Sequence, residues 1–276
     1  MLRSRTARVS QEVAAYTGIA IALVITLFPV YWIASNSFKY DIDIFAVPPE
    51  WFPADPTLKH YRAAFIERPF LQYALNSLII AVSTTVISVV LGTLAGYALA
   101  RFHYPGRWRH QISFWILSTR MMPPIVTIIP LYLAFNYLNM LNTKPAVVIA
   151  YTAFNLPFAT WMMKSYFQDL PVELEEAAMV DGDTRWGAFL RVALPSAIPA
   201  IAALAVLCWL FTWNEFLFAL ILTGNRVPVI TVVMAQFVTE MGLRWNLMAA
   251  TAVMALLPAF LLALFGQKYV IRGLRI

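Results

Sequence analysis

Glu176-Ala177-Ala178-Met179-Val180-Asp181-Gly182, closed by Val192-Ala193-Leu194-Pro195 ten residues after the glycine, is a polar segment set between two long apolar stretches. That setting presents it at a membrane surface. From Asp169 to Arg191 the segment holds six acids (Asp169, Glu173, Glu175, Glu176, Asp181 and Asp183) against two bases, Arg185 and Arg191. Anionic lipid headgroups repel such a surface. A protein partner with a basic, concave face suits it better.

The local pattern predicts two short helices joined at Gly182. Pro171 suits a first helical turn, and Asp169 and Glu173 complement its positive N-terminal dipole. Leu174, Ala177 and Ala178 share one face at helical spacing, with small side chains that permit close docking. Gly182 supplies the left-handed residue that ends the first helix. Asp183 is then expected to cap the second, along which Trp186, Phe189 and Leu190 form an apolar stripe.

The rest of the chain is built for lipid. Of its 276 residues 61% are hydrophobic and only 12% charged, about half the charged share of a soluble domain. Six apolar stretches are long enough to cross a bilayer as helices. They run about Tyr16 to Ser37, Ala74 to Ala100, Ile112 to Leu138, Ala146 to Phe167, Ile198 to Leu222 and Leu247 to Tyr269. The expected fold is an all-α polytopic membrane protein, one domain over 1–276, with the loop 169–195 between its fourth and fifth spans. The first stretch lacks a suitably placed small-residue cleavage site and is not read as a removed signal peptide.

Lys and Arg in the flanks set the orientation. Arg3, Arg5, Arg8, Arg101, Arg107, Arg109, Lys164, Arg185, Arg191, Lys268, Arg272 and Arg275 fall on one side. Lys39, Lys59, Arg62, Arg68, Lys144, Arg226 and Arg244 fall on the other, twelve against seven, with Arg120 left inside the third span. Both termini are therefore expected on the cytoplasmic side. The net charge of +6 is this topology signal; scattered over the flanks, it forms no patch for nucleic acid.

Several function classes are excluded or disfavoured. Cys208 is the only cysteine, so an intrachain disulfide is impossible, and it reads as a small buried residue. His60, His103 and His110 lack metal-ligand spacing, and no Gly-x-x-x-x-Gly-Lys loop is present to hold ATP. No metal site, catalytic residue or cofactor is therefore assigned to the chain.

Other motifs bear on packing. Gly92 and Gly96 form a Gly-x-x-x-Gly pair that lets two helix backbones approach. Met121-Met122-Pro123-Pro124 and Pro130 predict a bent, central third span. The connection from about Phe38 to Tyr73 carries Pro48, Pro49, Pro53, Pro56 and Pro69 with Trp51, Phe52, Tyr61 and Phe65. It reads as a semi-rigid extracytoplasmic cap or an interfacial anchor.

Glu176-Ala177-Ala178, Gly182 and Val192-x-Leu194-Pro195 resemble the EAA loop of the permease subunits of ATP-binding-cassette (ABC) importers, with Val192 where isoleucine is frequent. The resemblance implies a type I importer permease fold in which this loop is the coupling helix and docks into a cleft on a cytoplasmic ATPase. On that reading Glu176 is the charged contact, Ala177 and Ala178 the close-packing face and Gly182 the turn. Asp181, Leu194 and Pro195 complete the coupling set. The implied partners are a homologous permease subunit, two ATPase subunits that hold ATP and Mg, and an extracytoplasmic solute-binding protein. The implied location is the bacterial or archaeal cytoplasmic membrane.

Trp213-Asn214-Glu215-Phe216 points to a cargo. A carboxylate within an apolar span is a functional candidate by default. Asn214 and Glu215 can hydrogen-bond hydroxyls, and Trp213 or Phe216 can stack on a sugar face. This string is similar to the fifth span of the smaller maltose-type carbohydrate permeases. So are Leu75-Asn76-Ser77-Leu78, Tyr97-Ala98-Leu99-Ala100-Arg101-Phe102, Arg120-Met121-Met122-Pro123-Pro124 and Gln267-Lys268-Tyr269-Val270-Ile271-Arg272-Gly273-Leu274. Relatives of that type continue with a short tail that touches the ATPase, whereas here the sequence stops at Arg275-Ile276. Arg120, Asn155, Trp213, Asn214, Glu215 and Phe216 are the candidates for a translocation pathway. The rival readings are an importer of an amino acid, peptide or anion, and a self-sufficient secondary transporter. The latter is disfavoured because no internal repeat is evident and the spans offer few ionisable residues.

Overall fold

The Pro123-Pro124 pair decides where the third apolar stretch stops being a single helix. In the computed structural model, which describes residues 2–66, 69–224, 226–239 and 242–273, the third stretch breaks at Met121–Pro123. Its two halves, Trp108–Thr119 and Pro124–Tyr137, meet at 88°. Pro123 is extended, with ψ at 132°, because a residue that precedes proline is pushed out of the helical region. The expected bent span is therefore two helices, and Arg120 lies at their junction rather than inside a span.

In chain order the elements are α1 (Leu2–Ser37), a 3-10 turn (Asp43–Phe45), α2 (Lys59–Ile66), α3 (Phe70–Arg101), α4 (Trp108–Thr119), α5 (Pro124–Tyr137) and α6 (Lys144–Asp169). There follow α7 (Glu173–Val180), α8 (Arg185–Ala188), a π-helical turn (Phe189–Ala193), α9 (Leu194–Ser196), α10 (Ile198–Trp213), α11 (Leu217–Thr223) and α12 (Ile230–Ala235). The two-residue strands β1 (Val238–Thr239) and β2 (Gly242–Leu243) pair antiparallel before α13 (Trp245–Gly273). The fold is thus predominantly helical, with the two residue pairs of β1 and β2 as its strand pairing among the described residues. Four helices are long and apolar enough to cross a membrane by length and composition, or up to six if each bent pair counts as one span. The fifth stretch is interrupted at Asn214-Glu215-Phe216, which separates α10 from α11.

The chain divides into two compact units. The first comprises Met1–Phe70 and Met234–Leu256. Here the proline-rich segment folds back on the end of α1. Trp51 packs its ring against Phe28 and Trp32, and its carbonyl accepts from Tyr31 and Ser35. Lys39, one of the outer flank cations, is buried. Its Nζ donates to Asn36 Oδ1 at 3.0 Å and the Glu50 carbonyl at 2.6 Å and stands 4.4 Å over the Trp32 ring. These bonds replace the water that a surface ammonium would keep. His60 Nε2 donates to the Lys39 carbonyl at 3.1 Å, which also accepts from Asn246 Nδ2 at 2.6 Å.

Burial holds the His60 pKa below the usual 6.5, against an opposing pull from Asp41. The neutral ring is therefore favoured in the folded unit. Its contribution to stability is complete above the unfolded value near 6.5 and is lost as pH falls through the lowered folded value. Hydrogen-exchange protection over 38–66, expressed relative to the intrinsic rate at each pH, is expected to fall between pH 7.5 and pH 5, and His60→Asn is expected to flatten that dependence.

The second unit comprises Leu71–Val233 and Leu257–Ile276. Gly92 and Gly96 bring α3 against α6, as their spacing predicts: a Cβ on Gly92 would stand 2.4 Å from Ala159 Cβ, and one on Gly96 2.7 Å from the Lys164 backbone nitrogen. Two clusters fill the interior. One gathers Ile80, Ile128, Phe135, Val147, Phe218 and Leu222. The other gathers Tyr97, Met163, Phe167, Phe189, Leu204 and Cys208 and so joins the 169–195 loop to the long helices. Cys208 is buried, as expected.

Candidate functional site

The loop after α6 forms the two short helices expected of it. Glu173, Glu175 and Glu176 occupy the first turn of α7, where the dipole favours negative charge. Pro171 lies two residues ahead of α7, before the Val172 cap, rather than within its first turn. Gly182 ends α7 with φ at +94°. Its N–H donates to the Met179 carbonyl at 3.2 Å and that of Asp183 to the Ala178 carbonyl at 3.0 Å, the paired bonds of a Schellman end. Asp181 is the exposed residue between helix and glycine.

The second helix departs from expectation. Thr184, not Asp183, caps it, with Oγ1 accepting from Gly187 N at 3.0 Å. Asp183 instead pairs with Arg191 at 3.1 Å, because Thr184 is the residue in extended conformation with its hydroxyl over the first turn. The expected apolar stripe is also divided. Phe189 is buried, 4.4 Å from the Tyr97 ring, while Trp186 and Leu190 are exposed. The π-helical turn that follows puts Leu194 N on the Phe189 carbonyl. Pro195, the next residue, has no N–H with which to continue an α-helical ladder. Leu194 is half-buried and Pro195 exposed.

The two faces of α7 do different things. Leu174, Glu176 and Ala177 are exposed and Ala178 is half-buried. Glu175, which the sequence reading counted among the acids offered to a partner, is only 4% exposed. Its carboxylate accepts from Arg101 Nε at 2.7 Å and from the Tyr97 hydroxyl at 2.6 Å. Arg101 Nη2 donates in turn to the Leu170 carbonyl at 2.7 Å. A buried carboxylate is tolerable when paired and hydrogen-bonded, and this one is both. The result fastens α7 to the end of α3. Sequence reading missed it because 74 residues separate the two charges and each has a plainer local role, one as a helix-dipole acid and the other as a flank cation.

Of the six pathway candidates, three converge. Arg120, Asn155 and Glu215 line a cavity of about 150 Å³ together with Tyr151, Phe154, Phe211, Thr212 and Phe218. Arg120 lies over the rings of Phe158 and Phe211, at 4.7 and 4.9 Å, a favourable placing for a guanidinium. Glu215 stands at the break between α10 and α11, not inside a helix. Its oxygens accept from Phe218 N at 3.0 Å and Ala219 N at 3.4 Å, so it caps α11 and offsets the cost of a carboxylate in apolar surroundings. The other three candidates do not join. Trp213 stacks on Trp209 at 4.7 Å, Asn214 turns its amide to the Leu210 carbonyl at 2.8 Å, and Phe216 is exposed. The helix ends at Trp213, and the break over 214–216 sends these neighbouring side chains to different surroundings.

Long apolar helices broken at defined points, with a braced surface helix on a polar loop, define a multi-pass helical membrane protein. The chain belongs to the family of binding-protein-dependent transport system inner membrane components, whose family model matches residues 88–276. It is 33% identical to the sulfoquinovosyl glycerol transport system permease protein SmoH of Agrobacterium fabrum, over 92% of this chain and 89% of that protein. It is also 33% identical to the trehalose transport system permease protein SugB of Mycobacterium tuberculosis, over 95% and 96%. Its fold matches a chain of a bacterial ABC transporter involved in the import of the acidic polysaccharide alginate, with a TM-score of 0.78 over 96% of this chain and 98% of that one, at 23% identity.

Proposed function

We propose that this chain is a permease subunit of an ATP-driven, binding-protein-dependent importer of a carbohydrate or sugar-like solute. The observation that carries the coupling role is the two-sided α7, whose Glu175 is locked to Arg101 from behind while Leu174, Glu176 and Ala177 stay exposed in front. A lever that is gripped on one face and free on the other can pass motion from a partner into a membrane helix. The cargo class is supported by the relatives, whose names specify sulfoquinovosyl glycerol, trehalose and diacetylchitobiose.

In this proposal the whole chain, 1–276, works as one permease domain in the cytoplasmic membrane with both termini inside. It pairs with a homologous permease, with two ATPase subunits below and a solute-binding protein outside. Nucleotide binding closes the ATPases and moves α7, with Glu176, Ala177, Ala178 and Asp181 at the contact. Gly182, Leu194 and Pro195 shape the loop. The Glu175–Arg101 pair carries the motion into α3, and nucleotide thereby biases the population between inward- and outward-facing states. ATP and Mg reside on the partners, and this chain performs no covalent chemistry. The pathway is taken to run past the cavity where Arg120, Asn155 and Glu215 meet. The described residues end at Gly273, so Arg275-Ile276, where relatives of the maltose type continue into an ATPase-touching tail, lie outside them.

Glu176→Lys reverses the charge of the exposed face, and Gly182→Pro cannot adopt φ near +94°. Each is expected to reduce ATPase co-purification or its stimulation by at least roughly tenfold, on the scale of one lost charged contact, with the chain still inserted in the membrane. Normal transport by both variants would rule out the docking role. For the cargo, ATP hydrolysis by the reconstituted complex should rise with a sugar-loaded binding protein. Stimulation by amino acids and not by sugars would sink the carbohydrate reading.

A further inference from the structure

We propose that this chain itself holds one ring of the transported sugar, in the cavity walled by Phe154, Phe211 and Phe218, with Arg120 donating to its hydroxyls and Asn155 accepting from them. The inference rests on the carbohydrate reading above and adds a direct ligand contact to it.

Two atoms carry the argument. Arg120 Nη1 and Asn155 Oδ1 are buried and meet no hydrogen-bond partner among the described residues. Asn155 is only 3% exposed, and both side chains line the same cavity of about 150 Å³. Buried polar groups in folded proteins are normally paired. The amide orientation is determined by its surroundings: the Thr212 hydroxyl spends its proton on the Cys208 carbonyl at 2.9 Å, so it can only accept from Asn155 Nδ2, at 3.1 Å. The acceptor Oδ1 is therefore the unused end. Arg120 is held equally firmly by the rings of Phe158 and Phe211. Glu215 forms no ion pair with Arg120 among the described residues; its carboxylate accepts from Phe218 N and Ala219 N instead.

A donor and an acceptor fixed at one cavity, with aromatic walls, complement a molecule that offers hydroxyls as both donors and acceptors and C–H faces to the rings. A single sugar ring has that chemistry. Both polar atoms are shielded from water. A larger cavity of about 500 Å³ shares Arg120, Phe154 and Phe218, which makes those side chains the partition between the two spaces.

The test uses the assembled complex with its ATPases and binding protein, trapped with nucleotide in nanodiscs. Radiolabelled trehalose and sulfoquinovosyl glycerol serve as a neutral and an anionic probe. For whichever probe the wild type takes up, Arg120→Met and Asn155→Leu are each expected to weaken its retention roughly tenfold, the scale of one lost buried hydrogen bond, with subunit co-purification unchanged. Wild-type retention in both variants would overturn the subsite and leave the carbohydrate reading standing. Loss of subunit association in the variants would overturn it too, by making Arg120 and Asn155 assembly residues. A wild-type complex that imports neither these probes nor any other sugar, but imports amino acids, would remove the reading on which the subsite rests.

Discussion

Arg101→Met is expected to destabilise the chain by about 3–5 kcal/mol, the cost of leaving one member of a buried ion pair uncompensated. The Arg101 and Glu175 side chains are 10% and 5% exposed and meet at 2.7 Å, so water cannot replace the lost partner without opening the interface between α7 and α3. The Leu170 carbonyl loses its donor at the same time. Glu175→Leu alone should cost a similar amount by leaving the guanidinium stranded. The double variant should recover much of the loss, since an apolar pair of similar size removes both desolvation penalties. Thermal unfolding of the purified complex measures all three. A double variant no more stable than either single one would mean that the pair contributes shape rather than charge. If the pair also transmits motion, the double variant should regain stability without regaining sugar-stimulated ATP hydrolysis.

The other large effect concerns the α3–α6 contact. Gly96→Ala is expected to destabilise by about 1–3 kcal/mol, because its Cβ would lie 2.7 Å from the Lys164 backbone nitrogen and 2.9 Å from the Met163 carbonyl carbon. A backbone neighbour cannot rotate away, so Met163→Ala should not rescue it. Gly92→Ala meets a different obstacle, the Ala159 Cβ at 2.4 Å. The added Ala159→Gly substitution should therefore restore part of its stability. Unfolding midpoints of the four variants separate the cases, and equal rescue at both positions would contradict the close backbone approach.

Most of the architecture was legible in the chain because apolar length and proline act locally. The position of α3 follows from an uncharged stretch between Ala74 and Ala100, and the α4–α5 break from Pro123-Pro124. The turn at Gly182 follows from the one residue there that tolerates positive φ. The site was legible only where neighbours along the chain decide it. Glu176, Ala177 and Gly182 are placed by helical spacing, and the structure leaves the first two exposed and the third in a left-handed turn. Glu215 carried a signal, an acid in an apolar run, but not its meaning. Whether such a carboxylate sits inside a helix or caps the next one depends on where the helix breaks, which hydrophobicity does not record.

Sequence alone therefore determined the membrane class, the approximate helices and the family, since each depends on periodicity, length or a contiguous motif. Tertiary structure alone decided that Glu175 faces inward while Glu176 faces out, that Arg101 rather than a partner neutralises it, and that Arg120, Asn155 and Glu215 line one cavity while Trp213, Asn214 and Phe216 do not. Those outcomes turn on which face of each helix a distant segment covers. Adjacent acids on one helix differ by about 100° in direction, so the neighbour that packs behind α7, and not the residue type, assigns one to the brace and the other to the surface.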